Sequence, residues 1–225
     1  MTIISYITLS KVLKYYELLR AELKNRLLRK RMEPHFMGNL LQSLTGMFYL
    51  GKKKELIEVI GESSKLIKAD FENLDSDIIP LAQEMKLLKQ FLHTRNIMSE
   101  GKIFYEFRLA YHSQVKDVYI PSMLLQPITE NALEHGLKNN TNPIIIVAFL
   151  ISDKLRVRII DNGPGMHENM KKRNGSLSVT KERLNILRQI EGRNYELSIM
   201  KDLSEYHIEQ GCGIEITLPI ITATT

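Results

Sequence analysis

The sequence predicts an α+β fold in two parts: a helical hairpin followed by a two-layer sandwich of helices on a mixed sheet. Three observations carry that prediction. Up to about residue 72, apolar residues recur every three or four positions, the spacing of packed helices. The polar stretch 72–80 breaks the pattern and ends in Pro80. Beyond it, runs rich in Ile, Val and Phe alternate with helix-period segments, the order of an α+β sandwich. The expected units are residues 1–76 and 77–225.

In the first unit, Leu9, Val12, Leu13, Tyr16, Leu19, Leu23 and Leu27 form one apolar stripe. Pro34 should kink or restart the helix just before His35, because its ring blocks the preceding turn. Phe36, Leu40, Leu44 and Met47 then resume the stripe, and Gly51 with three lysines ends it. A second helix, 53–72, carries Leu56, Val59, Ile60, Ile67 and Phe71. Two such helices bury little by themselves, so pairing with a second copy into a four-helix bundle is expected.

In the second unit, a helix is predicted over 81–98, a strand over 103–111, and a helix from Pro121 to Leu137. Strands at 143–151 and 154–160 meet at a Ser152-Asp153 turn, and a Gly-rich loop spans 161–178. A helix at 179–191 and strands at 195–202 and 213–220 close the chain.

Composition narrows the function classes. The single cysteine, Cys212, excludes an intrachain disulfide and a Cys-based zinc site, and suits the reducing cytoplasm. No apolar run reaches the ~18 residues that span a bilayer. The start MTIISYITLSKVL lacks the basic region and cleavage site of a signal peptide. Residues 11–31 carry eight cations against two carboxylates, more than the whole chain's net +5. A solvated face is the commonest reason for such a helix. The next is a position at the inner face of a membrane, where basic flanks concentrate. Nucleic acid is disfavoured, since no aromatic residues interleave with the charges.

Three short motifs could carry chemistry. The first is Asp161-Asn162-Gly163-Pro164-Gly165, directly after a strand. It could be an ordinary turn, or a backbone that approaches a flat ligand closely while Asp161 accepts a hydrogen bond from an exocyclic amine. The second is Glu130-Asn131-Ala132-Leu133-Glu134-His135-Gly136 on a helix. Asn131 and His135 could be satisfied core groups, or join Glu130 and Glu134 in an oxygen-rich patch of the kind Mg²⁺ favours. The third is Glu33-Pro34-His35-Phe36-Met37-Gly38-Asn39. A neutral imidazole at His35 is nucleophilic near pH 7, and Asn39 lies four residues on, on the same helix face.

In this order and at these separations, the three motifs resemble the LytS-type sensor histidine kinases, a branch of the GHKL ATPase superfamily. The stretch IPSMLLQPITENALEHGL (120–137) is similar to the family's Asn box almost throughout, and DNGPG (161–165) matches its first glycine box. The resemblance implies a Bergerat-type ATP-binding domain after a dimerising hairpin. It implies ATP and Mg²⁺ as cofactors, with His35 as phosphoacceptor, Asn131 on the metal and Asp161 on the adenine amine. Glu130 and His135 would support the metal and phosphates. Gly163 and Gly165 would let a lid carrying Lys171, Lys172 and Arg173 fold over the nucleotide, and Gly175 and Thr180 would close the site. The implied partners are a second copy of the chain and the receiver domain of a response regulator.

The chain departs from the family in three places. Glu33 stands where the family has Asn, Gly38 where it has an aromatic residue, and only Gly175 remains of the second glycine box. These departures motivate an alternative reading, a dimerising scaffold that binds nucleotide with little or no phosphotransfer. An ATPase of the chaperone or mismatch-repair kind fits less well, because those lack an upstream His-bearing hairpin.

Overall fold

The structure, a computed structural model, describes residues 11, 13–14, 16–25, 33–73, 76–109, 118–136, 144–151, 153–163, 165 and 176–222. Residues 16–25 form helix α1. The hairpin is α2 (Glu33–Tyr49) and α3 (Lys53–Asn73). Gly51 ends α2 at φ +68°, a left-handed conformation that a residue without Cβ adopts freely. Around it the N–H groups of Leu50 and Lys52 bond the carbonyls of Gly46 and Met47, at 3.0 Å each.

The stripe read on α2 is the buried one: Phe36, Leu40 and Met47 lie in the core. On α3, Val59 and Leu66 are fully buried, whereas Ile60, expected inside, faces solvent. α3 packs on α4 (Leu81–Met98), and Phe36 meets Phe91 of α4 with ring centroids 5.5 Å apart. Such a pair adds ~0.5–1.5 kcal/mol beyond its area burial. At the hairpin turn, Lys52 bonds Glu100, just past the end of α4. One apolar cluster therefore runs from the hairpin through Leu88, Phe91 and Leu92 into the sandwich.

The polar stretch before Pro80 is not wholly a linker. Its end is strand β1 (Ile78–Pro80), which pairs antiparallel with β3 (Tyr119–Pro121). This overturns the expected helix start at Pro121. The chain leaves β3 through a turn at 122–125, with Met123 at φ 54°, and α5 runs only from Gln126 to Gly136. The cause is a carboxylate from another helix. Glu84 of α4 is buried, and its Oε1 accepts the N–H groups of Leu124 and Leu125 at 3.0 Å each, while Oε2 accepts that of Met123 at 3.1 Å. Those donors would otherwise be orphans at a helix N-terminus. Pro127 then sits in the first turn of α5, where a missing N–H costs nothing.

The main sheet has the order β2-β4-β5-β7-β6. Strand β2 (Tyr105–Leu109) is parallel to β4 (Ile144–Ile151); β5 (Lys154–Asp161), β7 (Cys212–Pro219) and β6 (Glu196–Met200) continue it antiparallel. Helices α5 and α6 (Ser176–Glu191) lie against the sheet, and α6 opens three residues before the position expected. Strand alternation sends Leu155, Val157, Ile159, Ile214, Ile216 and Leu218 toward these helices. The opposite face is covered by Tyr206 and Ile208 on Ile145 and Ile160.

If the Glu84 carboxylate holds the entry to α5, Glu84→Gln removes one acceptor oxygen and sets an amide N–H₂ against a backbone donor. Urea unfolding of this variant should show a loss of about 1–3 kcal/mol with an unchanged m-value.

Candidate functional site

Asp161 is the last residue of β5 and continues the series Leu155, Val157, Ile159, so alternation turns its side chain toward the helices. It is buried at 3% exposure. Its Oδ1 accepts the N–H of Gly163 at 2.9 Å and that of Cys212 at 3.3 Å. Asp161 and Cys212 face each other in the β5–β7 register. Gly163 thus shapes the turn that orients Asp161, and Gly165, at φ +78°, continues it.

A residue absent from the sequence-based set, Gly211, closes the same corner. A Cβ on Gly211 would lie 2.0 Å from the Asp161 carbonyl oxygen, and one on Gly165 would lie 3.4 Å from the Gly211 carbonyl. Two backbone segments therefore approach as only glycine permits. Gly211-Cys212-Gly213 is the sequence signal that could have marked it. Burial and the nearby Asp161 push the Cys212 thiol up to about 12, so it stays protonated.

Helix α5 packs over β4 and β5. Its core side is Ile128, Thr129, Ala132 and Leu133, which leaves Glu130 and Asn131 half-buried on another side of the helix. Burial pushes the Glu130 carboxyl up to about 7, against the opposing pull of a hydrogen bond from Gln126 and the charge of Arg95 on α4. Arg95 is itself partly desolvated and lies within electrostatic reach of Glu130 and Glu134. Glu130 Oε1 is buried and has no hydrogen-bond partner among the described residues.

Such an oxygen, next in sequence to an asparagine amide, suits a hard cation that takes oxygen ligands and brings phosphates and waters with it. Among the described residues no three His, Cys, Asp or Glu side chains are grouped to hold a metal alone. A cation carried in on a triphosphate needs no such group.

The other predicted residues are placed as follows. His35 lies in the first turn of α2, two residues after its start, and the next residue, Phe36, is buried. Thr180 is buried on α6, three residues before Arg183. The side chains of His35 and His135, and the whole of Gly175, Lys171, Lys172 and Arg173, lie outside the described residues. Glu84 and Arg183, which organise the approach to α5, carried no sequence signal: each is one charge among many on a helix.

Two outcomes test this geometry. Gly211→Ala should abolish binding of a fluorescent ATP analogue, because the added Cβ displaces Asp161; unchanged binding would show that the corner is not part of a ligand site. The second concerns pH. Glu130 holds its proton more tightly in the folded chain than in the unfolded one, so stability is fullest below the unfolded value and falls as pH rises through 7. The fall is about 1–3 kcal/mol after allowance for partial exposure. In calorimetry from about pH 5 to about pH 8, Glu130→Gln should lose less thermal stability than the wild type. Parallel curves would place that carboxylate in water.

Residues 21–103 match the histidine kinase family, and residues 120–221 match the family of histidine kinase-, DNA gyrase B-, and HSP90-like ATPases. Over 90% of its length the chain is 26% identical to the sensor histidine kinase YesM of Bacillus subtilis. Over 74% it is 24% identical to the sensor protein LytS of Staphylococcus haemolyticus. It spans about a third of these relatives, 34% and 30% of their lengths. The solved histidine kinase AdeS of Acinetobacter baumannii aligns over 82% of this chain and 94% of its own, at 14% identity and a TM-score of 0.48. The first match covers the hairpin and α4, and the second covers α5, α6 and the strands β4–β7 of the main sheet. The chain carries a histidine kinase domain followed by an ATPase domain of the histidine kinase-, DNA gyrase B-, and HSP90-like family.

Proposed function

We propose that this chain is the catalytic end of a sensor histidine kinase, which phosphorylates itself on His35 from ATP and passes the group to an aspartate on a response regulator. The observation that carries the reading is the Asp161 corner. A buried carboxylate is oriented by two backbone N–H groups beneath the helix that bears Glu130 and Asn131. Asp161 reads the adenine amine, Gly163 and Gly165 form the turn beside the ring, and Thr180 lines the far side. Asn131, with Glu130 and His135 in support, would hold the Mg²⁺ that comes with the nucleotide.

Mg²⁺, when bound, neutralises charge on the transferring group. The remaining work falls to the chain. The His35 imidazole nitrogen attacks the γ-phosphorus in line, a P–N bond forms, the β,γ-bridging P–O bond breaks, and ADP leaves. The ring N–H proton passes to solvent. The lid, with Gly175, would bring its cations Lys171, Lys172 and Arg173 near the phosphates.

The hairpin, 1–76, serves as the dimerisation and phosphoacceptor unit, and 77–225 as the ATP-binding unit. Exposed apolar residues on the hairpin, Leu41, Phe48, Tyr49, Leu50, Ile57 and Ile60, support pairing with a second copy. No described helix is long and apolar enough to cross a membrane. A cytoplasmic position near the membrane face rests on the basic segment ahead of His35.

Incubation with γ-labelled ATP should label the wild type through an acid-labile, alkali-stable bond and leave His35→Ala unlabelled. Label that persists in His35→Ala would overturn the assignment. Wild-type chain that binds ATP without taking label would favour the scaffold reading.

A further inference from the structure

A side chain of α6 grips the chain just ahead of the helix that bears Asn131. Arg183 is 1% exposed; its Nη1 donates to the carbonyl of Met123 at 2.9 Å, and its Nη2 to that of Ser122 at 2.5 Å. Its Nε donates to Oδ1 of Asn25 on α1 at 3.2 Å. Met123 stands three residues before Gln126, where α5 begins. The guanidinium therefore holds the lead-in to α5 from 60 and 61 positions away in sequence.

Burial makes that hold specific. A guanidinium deprived of its acceptors inside the fold is costly, and its planar fork sets the direction of each partner as well as its distance. Helices α5 and α6 also pack on each other, with Leu133 and Leu184 both in the core. The hydrophobic effect is non-directional, so this packing fixes the phase of α5 less closely than two directed hydrogen bonds do.

Thr180, assigned above to the far side of the site, lies three residues before Arg183 and is likewise 1% exposed. Residues three apart on a helix are neighbours on its surface. The wall that carries Thr180 and the wall that carries Asn131 are thus joined through one guanidinium. Asp161 stands outside that linkage. Its carboxylate is oriented by the N–H groups of Gly163 and Cys212, and its backbone by the approach of Gly211. The adenine end of the site and the metal end therefore answer to different residues.

We propose that Arg183 is a positioning residue for the metal-bound nucleotide. By holding the carbonyls of Ser122 and Met123 it fixes the phase of α5, and so places Asn131 against the Mg²⁺ that joins the phosphates. It acts through the backbone of the turn. The proposal rests on the reading that Asn131 holds Mg²⁺.

The test separates the two ends of the site with trinitrophenyl-ATP, titrated by fluorescence in Mg²⁺ and again in EDTA. Arg183→Met fills similar space without donors, a replacement that buried charges often tolerate. In Mg²⁺ it should bind the probe about tenfold more weakly than the wild type. In EDTA, where Asn131 has no metal to hold, it should stay within about twofold of the wild type. A loss in Mg²⁺ no greater than the loss in EDTA overturns the positioning role. Asn25→Ala removes only the bond to α1 and should bind like the wild type in both buffers; a Mg²⁺-specific loss there would remove the cause from the two carbonyls and overturn the proposal. Should Arg183→Met fail to fold, Arg183→Lys, which has one nitrogen for two carbonyls, is read in the same way. Wild-type chain that binds no more tightly in Mg²⁺ than in EDTA overturns the metal reading of Asn131 instead. Positioning is then judged by hydrogen exchange: the Arg183 substitution must speed exchange from Leu124 to Asn131 while β5 and β7 stay protected, and a uniform change, or none, overturns it.

Discussion

The buried carboxylate of Glu84 is the interaction on which the sandwich depends. Desolvating such a group costs several kcal/mol and pushes its proton affinity up. Three backbone donors, from Met123, Leu124 and Leu125, compensate, and the Arg183 charge adds its field. In return, a four-residue turn that pairs with no strand acquires a single conformation. The turn even tolerates Met123 in the left-handed region, which a side chain with Cβ enters only at a cost of about 1–2 kcal/mol. Arg183 holds the carbonyl side of the same turn, so the segment is gripped through its donors by α4 and through its acceptors by α6.

The site inherits its geometry from that grip. A helix turns about 100° per residue, so where α5 begins decides which way Asn131 faces. A start one residue earlier would rotate Glu130 and Asn131 away from their present side and bring a core position in their place. Asp161 is set independently, by the β5–β7 register and the Gly211 approach. The two halves of the site thus come from separate constraints, one helical and one sheet-based, and they meet because α5 packs over β5.

Much of this was legible in the residue order. Helix α4 falls at 81–98 as its period predicts, and Asp161 ends its strand as expected. Local periodicity encodes such elements directly. The errors cluster where a distant side chain overrides local preference. Pro121 reads as a helix opener, but β1 captures it into a strand and Glu84 delays α5 by five residues. The stripe on α1 has helical period yet faces outward in this chain, because periodicity reports that a face is apolar and says nothing about what covers it. Gly211 escaped notice for a related reason: its importance lies in a carbonyl fifty positions away.

The pairing of β5 with β7 over eight positions limits how the Asp161 corner can vary. Side chains on a strand change face at every step, so the Asp161 carboxylate meets the helices in only one parity of the register. Insertions between β6 and β7 leave that parity intact where they spare Tyr206 and Ile208, which cover the sheet, and Gly211, which closes the Asp161 corner. A single-residue deletion inside β5 would turn the residues on one side of it to the other face of the sheet, so Asp161 and the core residues of its series could not all keep their places. Changes in length are therefore borne by the connections between strands, and the strand that ends in Asp161 is held to its present count of residues.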